Sequence, residues 1–218
     1  MDIKRKGTGY YDGFDGIAIE ELVLKDGAML DEVFYLKDLT QRKLFLNGPV
    51  TQDTVLDTVR HIMQFNREDA GIPPHLRRPI LLYLCSRGGE EEPGYMLIDA
   101  ILNSTTPVYT INLGLWYSMG FLIGLAGHKR FATKHARFLM HDGSSMVMES
   151  ASKMQDIVEF QRKADERTKQ YVLEHSKLTS EEYDAKTRVE WYLFADEARE
   201  MGFIDAIIGE DCPLEEII

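Results

Sequence analysis

The stretch ILLYLCSRGG, residues 80–89, decides the fold. The run from residue 80 to residue 86 is apolar almost throughout, which is typical of a strand buried on both faces of a parallel sheet. Gly88 and Gly89 follow this run, and a helical pattern begins at about Pro93. Because parallel α/β sheets bind ligands at the carboxyl ends of their strands, we predict such a sheet with a site beside the two glycines.

Strand and helix patterns alternate along the rest of the chain at the spacing of βαβ units. The further strands are predicted at residues 43–48 and 108–114, as two short strands within 129–141, and at 203–209. The helices are predicted at residues 51–65, 93–103, 118–127, 154–175 and 195–202. The predicted fold class is therefore α/β, with a mostly parallel sheet and one long helix.

Two of these helices have a defined apolar face. The face predicted for the first helix consists of Val55, Leu56, Val59, Ile62 and Met63. The face predicted for the long helix consists of Ile157, Phe160, Ala164, Thr168 and Tyr171. Both faces are expected to pack against other parts of the protein.

The chain before the first strand has a different character. Residues 1–14 are polar and without periodicity, and we expect a flexible arm there. Residues 15–40 contain grouped apolar residues, which favour a short helix and extended pieces. We therefore divide the chain into an N-terminal arm and lead-in segment, residues 1–40, and one domain, residues 41–218.

Composition excludes several classes of function. The formal net charge of −11 argues against nucleic acid as a partner, since phosphate binding requires a basic face. The apolar stretches, such as residues 121–127, are too short to cross a bilayer, and the N-terminus lacks the apolar segment of a secretion signal. We therefore expect a cytoplasmic protein without a membrane partner.

Cysteine and histidine spacing gives no sign of a disulfide framework or a metal centre. Only Cys85 and Cys212 are present, and Cys85 lies in the predicted buried strand. The histidines at 61, 75, 128, 135 and 175 show no metal-ligand spacing such as H-E-x-x-H. We expect no metal and no cofactor in this subunit.

Two residues at predicted strand ends have candidate catalytic side chains. Ser118 lies in GLWYSMG, residues 114–120, where a strand opens into a helix. Most serines at that place cap the helix, although the free N–H groups there also suit a site for negative charge. His141 follows the apolar residues 138–140, and a lone histidine of this kind is more often packed or solvent-exposed than catalytic.

Taken together, these segments resemble the proteolytic subunit of the Clp protease over about residues 43–209. The matching segments are Gly88-Gly89, the Ser-Met-Gly of 118–120 with Gly127 after it, KRFA at 129–132, RFLMH at 137–141, ADEA at 195–198 and GFID at 202–205. Each is weak alone, but their order and spacing are specific. The resemblance implies the fold shared by Clp peptidases and crotonases, and it makes residues 41–218 a serine endopeptidase domain.

The resemblance also implies the site residues. Ser118 falls on the nucleophile and His141 on the general base. The third member is usually an aspartate five residues before the closing alanine, and Glu190 stands there in this chain. Asp184 is the alternative acid, and Glu190 would otherwise be a surface carboxylate. The backbones of Gly89 and Met119 fall on the oxyanion hole.

The partners implied by the resemblance are further copies of the chain and an unfoldase. The family forms heptameric rings, either single or stacked as tetradecamers, and an AAA+ unfoldase feeds unfolded protein or peptide into the chamber. Departures from the family pattern concern the ring contact, where residues 142–146 read DGSSM, and unfoldase docking, where Tyr83 is kept but Asn103 replaces an aromatic residue. Bulky Trp116 and Tyr117 are expected to crowd the approach to Ser118.

Two other functions remain open at this point. One is a catalytically inactive ring subunit that assembles with an active paralogue. The other is a member of the wider superfamily, which contains acyl-CoA hydratases and signal-peptide peptidases. Finally, Glu90, Glu91 and Glu92 either complement the dipole of a helix first turn or face the substrate groove and favour basic peptides.

Overall fold

A computed structural model describes residues 30–143, 148–186 and 188–217. The arm predicted at residues 1–14 lies outside the described residues. The helices are α1 (Leu30–Thr40), α2 (Gln52–Glu68), α3 (Glu91–Leu102), α4 (Met119–Leu125), α5 (Ala151–Glu174), α6 (Ser180–Lys186) and α7 (Ala195–Glu200), with 3₁₀ turns at Pro74–Leu76 and Leu214–Glu216. The strands are β1 (Lys43–Asn47), β2 (Ile80–Ser86), β3 (Val108–Tyr117), β4 (Lys129–Thr133), β5 (Arg137–Met140), β6 (Trp191–Phe194) and β7 (Ala206–Ile208).

The strands form one sheet that is mostly parallel. Its order is β1-β2-β3-β4-β7, and every neighbouring pair in this order is parallel. The carboxyl-terminal end of β3 also pairs in parallel with β5, and β5 pairs antiparallel with β6. The predicted α/β fold is confirmed, whereas β6 has no counterpart among the predicted strands.

The core lies on both faces of the sheet. The main cluster joins the sheet to α2, α3 and α4 and includes buried Ile62, Leu82 and Phe121. A smaller cluster on β2, β3 and β4 is closed by Ile217, which is 1% exposed. Burial on both faces explains the uninterrupted apolar run of β2, and the prediction for that strand is confirmed.

Three local predictions need correction. The predicted buried face of α2 includes Met63, yet the Met63 side chain is 55% exposed. Met63 follows buried Ile62 in sequence, and successive residues of a helix are about 100° apart around its axis. Met63 therefore points away from the side on which Ile62 is buried. Strand β3 runs on to Tyr117, so α4 begins only at Met119, and β7 is shorter than predicted.

Helix α5 packs against the core only near its carboxyl end. Val172 is fully buried there, and Tyr171 donates a hydrogen bond to the Leu122 carbonyl at 2.9 Å. Farther toward the N-terminus, Val158 is 60% exposed and Phe160 is 72% exposed. Of the apolar face predicted from its sequence, Phe160 is therefore largely exposed, whereas Tyr171 is packed on the core.

Candidate active site

Ser118 lies at the turn between β3 and α4 with a backbone that few non-glycine residues adopt. Its φ is 54° and its ψ is −125°, and strained backbone of this kind persists only where the surroundings impose it. The Ser118 amide donates to the Leu139 carbonyl at 2.9 Å, and the Ser118 carbonyl accepts from Phe121. Ser118 occupies the N-cap position of α4, as the sequence predicts, but its hydroxyl makes no capping hydrogen bond to the helix.

The end of β2 lies directly against this turn. A Cβ atom added to Gly88 would come within 2.7 Å of the Ser118 Cβ, so only glycine fits. Gly89 has a φ of 151° and bridges to Val50, because the Val50 amide donates to the Gly88 carbonyl and the Glu90 amide donates to the Val50 carbonyl. These two hydrogen bonds leave the Gly89 amide out of the bridge.

The Met119 amide is a second backbone donor at this place. Met119 is the first residue of α4, and the first amides of a helix have no acceptor within it. Gly89, Ser118, Met119 and His141 all line one cavity of about 630 Å³. The structure thus brings four of the five residues predicted for the site to one cavity wall.

His141 and Glu190 are brought together by the pairing of β5 with β6. Met140 is opposite Trp191 in the antiparallel register. His141, which follows Met140, therefore lies near Glu190, which precedes Trp191. The His141 Nδ1 atom lies 2.9 Å from Glu190 Oε1. An ionised carboxylate only accepts hydrogen bonds, so Nδ1–H donates and the Nε2 atom is left for another partner.

Asp184, the alternative acid, has a different partner. Both of its carboxylate oxygens lie 2.7 Å from Lys169 Nζ. This hydrogen bond and the charge of Asp184 raise the pKa of Lys169. Since the described contacts of His141 include Glu190 and not Asp184, the geometry favours Glu190 as the acid of the site.

The expected crowding by Trp116 is wrong. The Trp116 side chain is fully buried, donates from Nε1 to the Leu84 carbonyl at 3.1 Å, and packs edge-on against Phe138. Because Trp116 belongs to β3 rather than to a loop, its side chain points into the core. Tyr117 turns the other way and contacts Tyr192, with ring centroids 5.9 Å apart.

Tyr192 is a contact of the site that the sequence analysis missed. Its hydroxyl donates to Glu190 Oε2 at 3.3 Å. Glu190 directly precedes β6, and residues two apart along extended chain share a face, so a prediction of β6 would have placed Tyr192 beside Glu190. Because β6 is not among the predicted strands, Tyr192 is not among the predicted site residues.

The cavity carries an excess of negative charge. Its carboxylates are Glu90, Glu91, Glu92, Asp142, Asp165, Glu166 and Asp184, and its cationic side chains other than histidine are Arg162, Lys169 and Arg188. Of these cations, Lys169 is already bound to Asp184. A positively charged group in the cavity would therefore be favoured electrostatically.

Two absences can be stated for the described part of the chain. In residues 30–143, 148–186 and 188–217, no three His, Cys, Asp or Glu side chains are grouped so as to hold a metal ion. Over the same ranges, no helix is both long and apolar enough to traverse a bilayer.

A strained serine at a strand–helix turn, with a histidine on the same cavity that is itself paired with a carboxylate, is the arrangement of an α/β serine hydrolase. Comparison with known proteins narrows this class. The family model described as Clp protease matches residues 30–211, and the chain belongs to the Clp protease family. It is accordingly a serine peptidase of the Clp proteolytic-subunit type, and neither the inactive-subunit alternative nor a hydratase is favoured.

Individual relatives match most of the chain. It is 29% identical over 186 residues to ATP-dependent Clp protease proteolytic subunit 2 of Treponema pallidum (strain Nichols), covering 84% of this chain and 90% of the relative. It is 29% identical over 185 residues to ATP-dependent Clp protease proteolytic subunit 2 of Rhodococcus jostii (strain RHA1), covering 84% of this chain and 92% of the relative. The match to ATP-dependent Clp protease proteolytic subunit 1 of Chlamydia pneumoniae is 32% identical but shorter, and it covers 52% of this chain and 60% of the relative.

Proposed function

We propose that this chain hydrolyses peptide bonds through an acyl-enzyme on Ser118, with His141 as general base and Glu190 as the third member of the triad. The observation that supports this most is the 2.9 Å contact between His141 Nδ1 and Glu190 Oε1, because His141 lines the same cavity as strained Ser118. A serine hydroxyl is a weak nucleophile until an adjacent base removes its proton, and His141 is the base that shares its cavity.

In the proposed reaction, His141 Nε2 takes the proton from Ser118 as its oxygen attacks the substrate carbonyl. The Glu190 carboxylate holds Nδ1–H and stabilises the imidazolium that forms. The negative oxygen of the tetrahedral intermediate accepts hydrogen bonds from the Gly89 and Met119 amides. His141 then donates its proton to the leaving amine, and water repeats the sequence to release the acid from Ser118.

Ser118 and His141 share the cavity, but no hydrogen bond joins their side chains among the described residues. Catalytic hydrogen bonds are often long before substrate binds and shorten in the substrate complex. Rotation of the free serine hydroxyl toward Nε2 on substrate binding fits this behaviour.

Hydrolysis of a short, blocked fluorogenic peptide by the wild-type chain tests the proposed function. The assembled protein should cleave it without ATP and in the presence of EDTA, since the proposed machinery consists of side chains and backbone amides. An assembled particle that cleaves no peptide of any composition would instead support the inactive ring subunit.

We also propose that the subunit works as a heptameric ring, singly or stacked in pairs. Exposed apolar surface marks protein–protein interfaces, and Val158 and Phe160 on α5 and Phe34 on α1 provide it. The relatives' names as proteolytic subunits support assembly with other proteins. A native mass of seven or fourteen copies would agree with the ring, and a stable monomer would contradict it.

An ATP-driven unfoldase is the further partner that we propose, because the relatives are named ATP-dependent proteases. Such a partner requires a compartment that contains ATP, which favours the cytoplasm and unfolded proteins as substrates. The apolar cluster around Tyr83 is covered by the chain itself, since the Tyr83 hydroxyl donates to the Ile217 carbonyl at 2.7 Å. A partner that docks on Tyr83 therefore has to displace Ile217 first.

The acidic cavity predicts a preference for basic substrates. Wild-type protein should cleave a Lys- and Arg-rich peptide roughly 3- to 10-fold better than an acidic peptide, because exposed ion pairs contribute a few tenths of a kcal/mol to about 1 kcal/mol each. Changing Glu90, Glu91 and Glu92 together to glutamine should reduce this ratio, and added salt should reduce it in the wild type.

A matched control variant removes the same number of charges elsewhere. In it, glutamine replaces Glu32, Glu200 and Glu215, which do not line the cavity. This triple variant should keep the wild-type ratio between the two peptides. Equal cleavage of basic and acidic peptides by the wild type would leave the three acids with their other interpretation, as partners of the dipole of α3.

A further inference from the structure

Tyr192 has a hydroxyl that the proposed mechanism does not use. It donates to Glu190 Oε2 at 3.3 Å, while Glu190 Oε1 accepts from His141 at 2.9 Å. The two oxygens of one carboxylate are thus held by two different neighbours. Rotation of this carboxylate about its terminal bond would break both hydrogen bonds.

The Tyr192 side chain is 58% exposed, and its ring contacts Tyr117. Tyr192 is opposite Leu139 in the β5–β6 register, and the Leu139 carbonyl accepts the Ser118 amide. The ring meets Tyr117 edge-on at an interplanar angle of 81°, and the Arg87 guanidinium lies 5.9 Å from the Tyr117 ring centroid. Tyr192, which contacts Glu190, is therefore paired with the backbone of Leu139, and Leu139 in turn holds the Ser118 amide.

Glu190 has a particular need for such a contact. Its side chain is 56% exposed, and glutamate has one more rotatable bond than the aspartate usual at this place. A mobile carboxylate pays an entropic penalty each time it holds the imidazole. Desolvation and the adjacent Glu190 charge raise the pKa of Tyr192, so its hydroxyl stays protonated and donates at neutral pH.

We propose that Tyr192 is a positioning residue, which holds the Glu190 carboxylate in the orientation that receives the His141 Nδ1–H. This inference rests on the proposed function, because it assigns a role to Tyr192 only through Glu190 and His141. It explains how a glutamate serves in place of a shorter acid: the added reach of the side chain is restrained by the hydroxyl of a residue two positions later, on β6, the strand that begins directly after Glu190.

The test is a double-mutant cycle on peptide hydrolysis. Tyr192→Phe should lower kcat about 3- to 10-fold with little change in KM, since one hydrogen bond to a charged group is lost. In a Glu190→Ala background, the same substitution should have no further effect. Tyr117→Phe is the matched control, because it removes a hydroxyl from the same aromatic pair and should change kcat less than about 2-fold.

The outcomes separate this inference from the proposed function. Wild-type kcat in Tyr192→Phe, together with impaired Glu190→Ala, overturns the positioning role and leaves the triad standing. An equal loss in both backgrounds also overturns it, because the effect then does not pass through Glu190. Full activity in Glu190→Ala overturns both proposals. Particle size and thermal unfolding of Tyr192→Phe should match the wild type.

Discussion

Replacing Ser118 by alanine lowers kcat/KM for peptide hydrolysis by about 10⁴- to 10⁶-fold, the loss expected when the nucleophile of a triad is removed. The fold should tolerate the change. Alanine keeps the Cβ atom that the strained turn already accommodates, and the Ser118 hydroxyl makes no capping hydrogen bond to α4. The measurement is steady-state hydrolysis of a fluorogenic peptide by wild type and variant, at equal particle size.

Ser152→Ala is the matched control for this substitution. Ser152 is an exposed serine in the first turn of α5, and its replacement should leave kcat/KM within about 2-fold of wild type, as surface substitutions usually do. A Ser118→Ala variant that retains more than about a tenth of wild-type activity in the same ring would mean that another group carries out the attack.

Replacing Glu190 by alanine is expected to lower kcat by about 10²- to 10⁴-fold, with KM nearly unchanged. Without the carboxylate, nothing in the described contacts of His141 fixes the tautomer in which Nδ1 carries the proton. The imidazolium formed in the transition state also loses its counter-charge. The lower end of the range reflects the solvent around Glu190, whose side chain is 56% exposed.

Asp184→Ala is the control that decides between the two candidate acids. Asp184 binds Lys169 through both oxygens, so its loss should affect the packing of α6 on α5 and not the orientation of His141. We expect less than about 5-fold change in kcat. A large loss in Asp184→Ala together with a small loss in Glu190→Ala would reverse the assignment.

The strands that were predicted well are those whose burial shows directly in their residues. Strand β2 lies inside the sheet with both faces covered, so its apolar run is uninterrupted. Strand β6 lies at an edge, and Tyr192 and Phe194 are 58% exposed. Strand β6 forms because it pairs with β5, which is distant in sequence. The pattern of residues within β6 alone does not predict such a pairing.

The site was predicted unevenly for the same reason. Glycines after a buried strand and a serine before a helix are local signals, and they identified Gly89 and Ser118 as candidates. The pairing of His141 with Glu190 depends on the β5–β6 register, so the residues alone left their roles open and only the resemblance joined them. The prediction for Trp116 is wrong because the local pattern ends β3 at residue 114, whereas pairing with β5 extends the strand to Tyr117.

Covalent labelling by a serine-directed phosphonate tests the central claim most directly. Peptide mapping of the labelled wild-type ring should find the phosphonate on Ser118, with labelling absent in Ser118→Ala and slowed at least 10²-fold in His141→Ala, since only an activated serine reacts at an appreciable rate. A ring that hydrolyses peptides while its phosphonate label lies on another residue, or that labels Ser118 equally fast without His141, would contradict the account.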